Sequence, residues 1–304
     1  MPQLPFLLVD AFTTQPLRGN PCAMVLDADA LTPTTRQQLA REFNQSETAF
    51  VDRAAPGSTE FTVRFFTPAE EIPLAGHPTI ATVTALLHTG RVQLPVGGKP
   101  LVIKLHLLHG PIQVEVLPAI GKEPPLIWMT QRRPIFGAVH APEVVLPLFG
   151  LVPADLLPGA PIRTVSTGTP QLMLLVRDPA ALRRAHVADP AALARYRAGS
   201  DFFSPHLFCL GGATPAGHTF ARHFGTPPDV VEDAVTGSAT GGMAAYLWHY
   251  GYLDTPDFLA EQGHDLGRAG TVLVRVSGPR EAIETVQIGG TGVVVLDGRL
   301  RGDW

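Results

Sequence analysis

Three positions carry side chains suited to moving a proton. Glu47 lies in Asn44-Gln-Ser-Glu-Thr48, with Phe43, Ala49 and Phe50 close by. Partly apolar surroundings raise a carboxyl pKa toward the range useful for general acid and base work. Asn44-x-x-Glu47 also has capping-box spacing, but that role needs a helix after Asn44, and the residues that follow are strand-like. A solvated loop carboxylate is the other plain reading. His77 stands at a helix start in Ala75-Gly-His-Pro-Thr79, where a lone His is more often a helix-entry residue bonded to backbone. Asp233 precedes a second helix start in Glu232-Asp-Ala-Val-Thr-Gly-Ser238, where carboxylates are commonly structural caps.

Other chemistries find little support. The histidines show no i,i+4 pair and no H-E-x-x-H, so no metal site is expected. His88 and His249 fall near helix C-termini, where the helix dipole accounts for them. Cys22 and Cys209 form neither a metal spacing nor a disulfide framework, so a reducing cytoplasm is the expected compartment. Both are read as lying away from the helix starts, which leaves a two-thiol acid/base pair unsupported. There is no G-x-G-x-x-G after a strand and no G-x-x-x-x-G-K-[ST]. Thr236-Gly-Ser238-Ala-Thr-Gly is not G-x-S-x-G.

The elements that must hold these residues come in two copies. Thr79 to His88 is a helix with no polar stripe beyond its threonines, and Gly90 supplies a C′ stop. A helix apolar on nearly all sides is a core helix, wrapped by other elements. Its start presents unpaired N–H groups, and facing a cleft it is a ready anion site. The same stretch recurs from Gly237 to Gly251, with Gly, Thr, Leu, His and Gly coinciding at a constant offset. Arg222-His-Phe224-Gly-Thr-Pro227 echoes Arg64-Phe-Phe66-Thr-Pro68, and Gly168-Thr-Pro170 with Met173 repeats Gly19-Asn-Pro21 with Met24. Three correspondences in one order imply an internal duplication.

Around the helices the chain reads as short strands. Leu7–Phe12, Ala23–Leu26, Ala49–Val51 and Glu60–Phe66 precede the first core helix, with a helix from Thr32 (N-cap) and Pro33 to near Asn44. Leu101–His106 and Ile112–Val116 form a hairpin at Gly110-Pro111, followed by Ile127–Thr130. Residues 134–161 are a Pro-rich connector with a short helix. The second half repeats the plan with strands at Ile162–Val165, Leu172–Val176 and Leu207–Leu210 and a helical piece at Pro190–Tyr196. Gly270–Val276 and Glu284–Ile288 mirror the hairpin, and Val293–Leu296 closes the chain. The expected fold is α+β, with two pseudo-symmetric domains, each a mixed β-barrel around an apolar helix. The domains are 1–130 and 131–304, the connector covers about 131–161, and a return of the last strand to the first domain is left open.

Composition sets the outer bounds. The 304 residues are 45% hydrophobic and only 16% charged, which suits two folded domains and argues against disorder. Thirty prolines and thirty glycines fit many turns between short strands. A net charge of −4 gives no electrostatic case for nucleic acid or an acidic membrane surface. The N-terminal stretch lacks a basic region and a long apolar run and reads as a first strand. The most apolar window, 144–157, is interrupted by Pro147, Gly150 and Pro153 and is not a spanning helix.

Val9-Asp-Ala-Phe12, Gly19-Asn-Pro21, Asn44-Gln-Ser-Glu-Thr48, Arg64-Phe-Phe-Thr-Pro68, Glu71-Ile-Pro-Leu-Ala-Gly-His-Pro-Thr79, Glu232-Asp-Ala-Val-Thr-Gly-Ser-Ala239 and Gln262-Gly-His-Asp-Leu-Gly-Arg268 together resemble the PhzF-like isomerases of phenazine biosynthesis. The resemblance spans nearly the whole chain and implies the diaminopimelate-epimerase-like fold. It implies a cofactor-independent reaction in which Glu47 is the acid/base, with His77 and Asp233 assisting. Ser46, Gly76, Thr79, Gly237 and Ser238 are the corresponding substrate-binding positions. A homodimer is likewise implied by resemblance only. One departure is Ala234, where the family usually has Pro.

The leading expectation is an isomerase that moves a proton between carbons of a small carboxylate-bearing substrate. Amino-acid racemisation or epimerisation on the same fold is the second, weakened by the missing paired thiols. A non-catalytic small-molecule-binding protein is the third.

Overall fold

The computed structural model describes residues 3–95, 98–119, 121, 123–225 and 231–302. The chain separates into two compact units, Met1–Thr130 with Gly289–Trp304, and Gln131–Ile288.

In the first unit, β1 (Gln3–Ala11) pairs antiparallel with β2 (Asn20–Leu26), and β2 pairs parallel with β3 (Glu47–Val51). β3 pairs antiparallel with β4 (Glu60–Phe66), which also takes the two-residue β5 (Glu71–Ile72) antiparallel and β6 (Leu101–Leu107) parallel. β6, β7 (Gly110–Leu117) and β8 (Leu126–Thr130) follow as an antiparallel run. The parallel β2–β3 step is made possible by α1 (Pro33–Phe43), a crossover helix. Thr32 caps α1 by accepting from the Thr35 N–H, and Asn44 ends it in the left-handed region at φ 50°. That turn delivers Ser46 and Glu47 to the mouth of β3.

α2 (Gly76–His88) is the core helix of this unit, packed against β1, β2, β3 and β8. Its threonines explain how a helix with hydroxyls tolerates burial. Thr79, Thr82 and Thr84 donate to the carbonyls of Ala75, Pro78 and Ile80, four residues back, at 2.7, 2.7 and 2.9 Å. Each hydroxyl is thus satisfied within the helix, and the surface offered to the strands is methyl and aliphatic. Gly90 takes a positive φ of 68° just past the helix, as its stop position requires.

The second unit is built on the same pairing plan. β9 (Ile135–His140) leads antiparallel into β10 (Ile162–Ser166), then β10 pairs antiparallel with β11 (Pro170–Leu175) and β11 parallel with β12 (Ser204–Leu210). β12 pairs antiparallel with β13 (Thr219–Phe224), which takes the short β14 (Glu232–Asp233) antiparallel and β15 (Asp257–Gln262) parallel. β15 and β16 (Gly270–Ser277) are antiparallel. From β10 onward, the sequence of parallel and antiparallel steps is that of β1 to β7. Pro227, in the upstream echo of the repeat, lies outside the described residues.

α3 (Pro142–Leu148), α4 (Pro179–Arg184) and α5 (Pro190–Ala198) contribute to an outer core with Leu174, Leu207 and Phe220. The core helix is α6 (Gly237–His249), packed against β10, β11 and β16. Gly241 and Gly242 inside it are demanded by close approach. A Cβ on Gly241 would lie 1.7 Å from Gln131 Oε1, and one on Gly242 would lie 2.5 Å from Met173 Cε.

β17 (Thr285–Gly290) carries the chain from the second unit into the first, where β18 (Gly292–Arg301) runs antiparallel to β1 from Gln3 to Ala11. The last strand, whose return to the first domain the sequence left open, lies against β1. Residues 289–304 belong to the first unit, because β18 completes the hydrogen bonding of β1. The 134–161 connector contains a strand, β9, as well as α3. β15, one antiparallel partner of β16, is a strand that the sequence did not announce. No helix of the described residues is long and apolar enough to cross a membrane.

Candidate active site

In the first unit, Glu47 opens β3 and His77 is the second residue of α2. The His77 ring is almost wholly buried, at 2% exposed, whereas Glu47 is only partly covered. His77 Nε2 lies 3.3 Å from Glu47 Oε2 and 3.5 Å from Ser46 Oγ. On the other side of the ring, His77 Nδ1 is 3.0 Å from Asn20 Nδ2, and Ser46 Oγ is 3.4 Å from Asn20 Oδ1. Asn20 is the first residue of β2, paired with Ala11 across the β1 ladder. It reaches this place because Gly19 lies tight against β1 at φ +59°, where a Cβ would sit 2.1 Å from the Ala11 carbonyl oxygen.

The start of α2 carries no side-chain cap. Ala75 is the N-cap residue and has no acceptor to offer the first N–H groups. Gly76 and Thr79 are both buried, and the Thr79 hydroxyl is committed to the Ala75 carbonyl. Of the two, Gly76 is the one that can present only backbone to a ligand.

Cys22 is the strand neighbour of Glu47, directly opposite it in the parallel β2–β3 pair. The expectation placed the cysteines away from the helix starts and did not anticipate this neighbour of Glu47. Burial, with the Glu47 charge added, pushes the Cys22 thiol well up, so it stays protonated. Burial likewise pushes Cys209 up to about 12.

In the second unit, Asp233 lies in β14 opposite His223 of β13. Its Oδ2 accepts from the Thr236 hydroxyl at 2.6 Å. Thr236 is the N-cap of α6, yet its hydroxyl does not cap the helix. Gln262 locks this corner: its Oε1 accepts from the Thr236 N–H at 3.1 Å, and its Nε2 donates to the Asp233 carbonyl at 2.9 Å and to Thr236 Oγ1 at 3.2 Å. Gln131 Nε2 donates to the Gly237 carbonyl at 2.9 Å, and the Thr167 hydroxyl donates to Gln131 Oε1. Ser238 is partly exposed at the helix start, and its carbonyl accepts from Thr167 at 3.4 Å. Ala234, at the place of the family proline, is buried beside Asp233.

Behind Asp233 stands a buried imidazole pair, His223 and His206, with Nδ1 atoms 3.3 Å apart. Burial pushes His223 down to about 4, against the opposing pull of the Asp233 charge, and pushes His206 well down. Both rings are neutral at pH 7.

The geometry thus joins Glu47, His77 and Ser46 in one half and Asp233, Gly237 and Ser238 in the other. Sequence reasoning missed Asn20, Gln262 and Gln131. Asn20 and Gln262 belonged to motifs already singled out, but the bonds that give them a role span 57 and 29 residues.

A family model for the phenazine biosynthesis-like protein matches residues 9–298. The chain belongs to this family. The PhzF-type chain is 33% identical over 302 residues to a Salmonella typhimurium protein named uncharacterized isomerase YddE, with 95% of each covered. It is 31% identical over 296 residues to the trans-2,3-dihydro-3-hydroxyanthranilate isomerase of Pseudomonas fluorescens, covering 95% of this chain and 96% of that one. The crystal structure of a Bacillus anthracis phenazine biosynthesis protein of the PhzF family superposes with a TM-score of 0.84 at 28% identity, covering 99% of this chain and 100% of the other. The PhzF-type chain is an isomerase with the mixed α/β fold of that family.

Proposed function

We propose that this isomerase moves a proton between carbons of a small, carboxylate-bearing cyclic or amino-acid-like substrate without a cofactor, with Glu47 as the acid/base. The observation that carries the reading is the Glu47–His77 pair at an uncapped helix start. In the proposed step the Glu47 carboxylate accepts a proton from an acidic C–H. The electron pair left behind delocalises into the adjoining unsaturated system, and Glu47 returns the proton to a second carbon. Proton count and charge are the same before and after. Asp233 is proposed to assist the transfer. The backbone at Gly76, Gly237 and Ser238, with Ser46, is proposed to hold the substrate oxygens, since helix N-termini favour negative charge.

Several features support this reading. Burial and hydrogen bonding fix the donors around both carboxylates before substrate arrives, as a site that stabilises developing charge requires. The matching strand pairings of the two units favour the two-barrel architecture, each barrel around its own apolar helix. The family resemblance favours a homodimer, and the unpaired cysteines favour the cytoplasm. The P. fluorescens relative is named for a dihydro-hydroxyanthranilate, which makes cyclic amino acids the first compounds to try.

The test is deuterium incorporation from D2O into a panel of cyclic and aromatic amino and hydroxy acids, followed by NMR. Exchange is expected with the natural protein and absent in Glu47→Gln, with unchanged circular dichroism. Full exchange in Glu47→Gln would remove Glu47 from the role. Binding of carboxylates with no exchange would point instead to a binding protein.

A further inference from the structure

The His77 ring is held between two partners of opposite hydrogen-bonding character. On one side, the atom facing Nδ1 is the Asn20 amide nitrogen, 3.0 Å away. An amide NH2 has hydrogens to give and no lone pair to share, so Nδ1 must be the acceptor. On the other side, Nε2 faces Glu47 Oε2 at 3.3 Å and Ser46 Oγ at 3.5 Å. A carboxylate only accepts, so Nε2 is the donor. The Ser46 hydroxyl, 3.4 Å from Asn20 Oδ1, donates to that oxygen, which is consistent with the amide nitrogen pointing at the ring. Asn20 and His77 are 1% and 2% exposed, which leaves no solvent to take over either role.

From this arrangement we infer that Asn20 is a positioning residue that fixes His77 as the neutral, Nε2-protonated tautomer, so that His77 acts on Glu47 as a hydrogen-bond donor. An imidazolium would set an N–H at Nδ1 against the N–H groups of Asn20, and the Nδ1-protonated tautomer would do the same while turning a lone pair toward Glu47. Both arrangements leave buried polar groups opposed. The inference rests on the reading of Glu47 as the base and sharpens it: His77 steadies the ionised carboxylate and hands the proton-carrying role to Glu47 alone. The Gly19-Asn20-Pro21 turn thereby acquires a chemical purpose. Gly19 brings the backbone against β1, and that approach sets the Asn20 amide at the ring.

The test begins with the tautomer, which can be read without any substrate. Protein labelled with 15N in its histidines is studied at pH 7 by long-range proton–nitrogen correlation NMR, with His77→Gln used to assign the His77 signals. The expected pattern is a bare, pyridine-like Nδ1 and a protonated Nε2. A protonated Nδ1 in the natural protein, whether neutral or cationic, would overturn the inference. In Asn20→Asp the carboxylate invites a proton onto Nδ1, and the spectrum is expected to show it there. With an exchange substrate in hand, the same variant is expected to lose at least tenfold in kcat with KM changed less than threefold. A variant whose tautomer has switched yet whose kcat is unchanged would deny Asn20 its role. Should no compound exchange protons at all, the functional reading falls while the tautomer result stands. Should Asn20→Asp fail to fold, the spectrum of the natural protein still decides.

Discussion

At the scale of single residues, the site depends on buried amides as much as on acids. The Thr236 hydroxyl donates to Asp233, and that hydroxyl is in turn steadied by Gln262, whose buried side chain makes three hydrogen bonds. Removing it leaves the Thr236 N–H and the Asp233 carbonyl without this partner, and a buried group stripped of its partner costs about 1–3 kcal/mol. Gln262→Ala is therefore expected to lower stability by about 2 kcal/mol in urea unfolding. In an exchange assay it should lose at least tenfold in kcat, because Asp233 is no longer held. Cys22 makes the opposite case. Its thiol is protonated and sealed in beside Glu47, so Cys22→Ala is expected to keep most of the exchange activity, and complete loss would reopen thiol chemistry.

At the scale of elements, the two core helices show what a sequence exposes directly and what it conceals. α2 and α6 could be read from their unbroken apolar faces, their repeated Gly and Thr positions and their terminal glycines, and they lie where that reading puts them. β15 was hidden because Glu261 sits within it at 2% exposure. That carboxylate is satisfied by the Thr214 N–H and hydroxyl at 2.8 and 2.6 Å, a pairing across 47 residues that no local pattern announces. β9 was hidden for a different reason. Ile135 and Val139 are exposed, so its apolar residues do not mark a buried face. At the site, Glu47 and His77 were legible from residue type and context, whereas the amides around them became visible only when the chain was folded. Close helix packing yields its own prediction. In Gly241→Ala the new methyl displaces Gln131, which holds the Gly237 carbonyl and the Thr167 hydroxyl. Two buried hydrogen bonds are worth about 1 kcal/mol each, or more once their partners are stranded, against a helix-propensity gain of about 1 kcal/mol for Gly to Ala. The net expectation is a loss of about 1–2 kcal/mol, measured by chemical denaturation. A gain in stability would mean that Gln131 is free to move.

At the scale of the whole molecule, the buried His206–His223 pair makes stability depend on acidity. Both imidazoles are depressed below their ordinary 6.5, His223 to about 4. Between those limits the unfolded chain binds protons that the folded one refuses, so stability is full above about pH 6.5 and falls as pH drops toward 4. For His223 alone the full effect is on the order of 3 kcal/mol. Urea unfolding at steps from pH 7.5 to 4.5 is expected to show this decline, with a shallower slope in His206→Leu. Equal slopes would assign the acid sensitivity to other groups.

The return of β18 to β1 also orders events during synthesis. Residues 131–288 form one unbroken unit, available for folding as soon as they leave the ribosome, whereas the unit that begins the chain waits for its final strand. Until residues 292–301 emerge, β1 has β2 on one side and an open row of backbone groups on the other, an edge able to recruit a second chain. The half of the protein made first is the half finished last. A chain truncated after residue 290 and released should accordingly be protected from protease across the second unit and cut in the first.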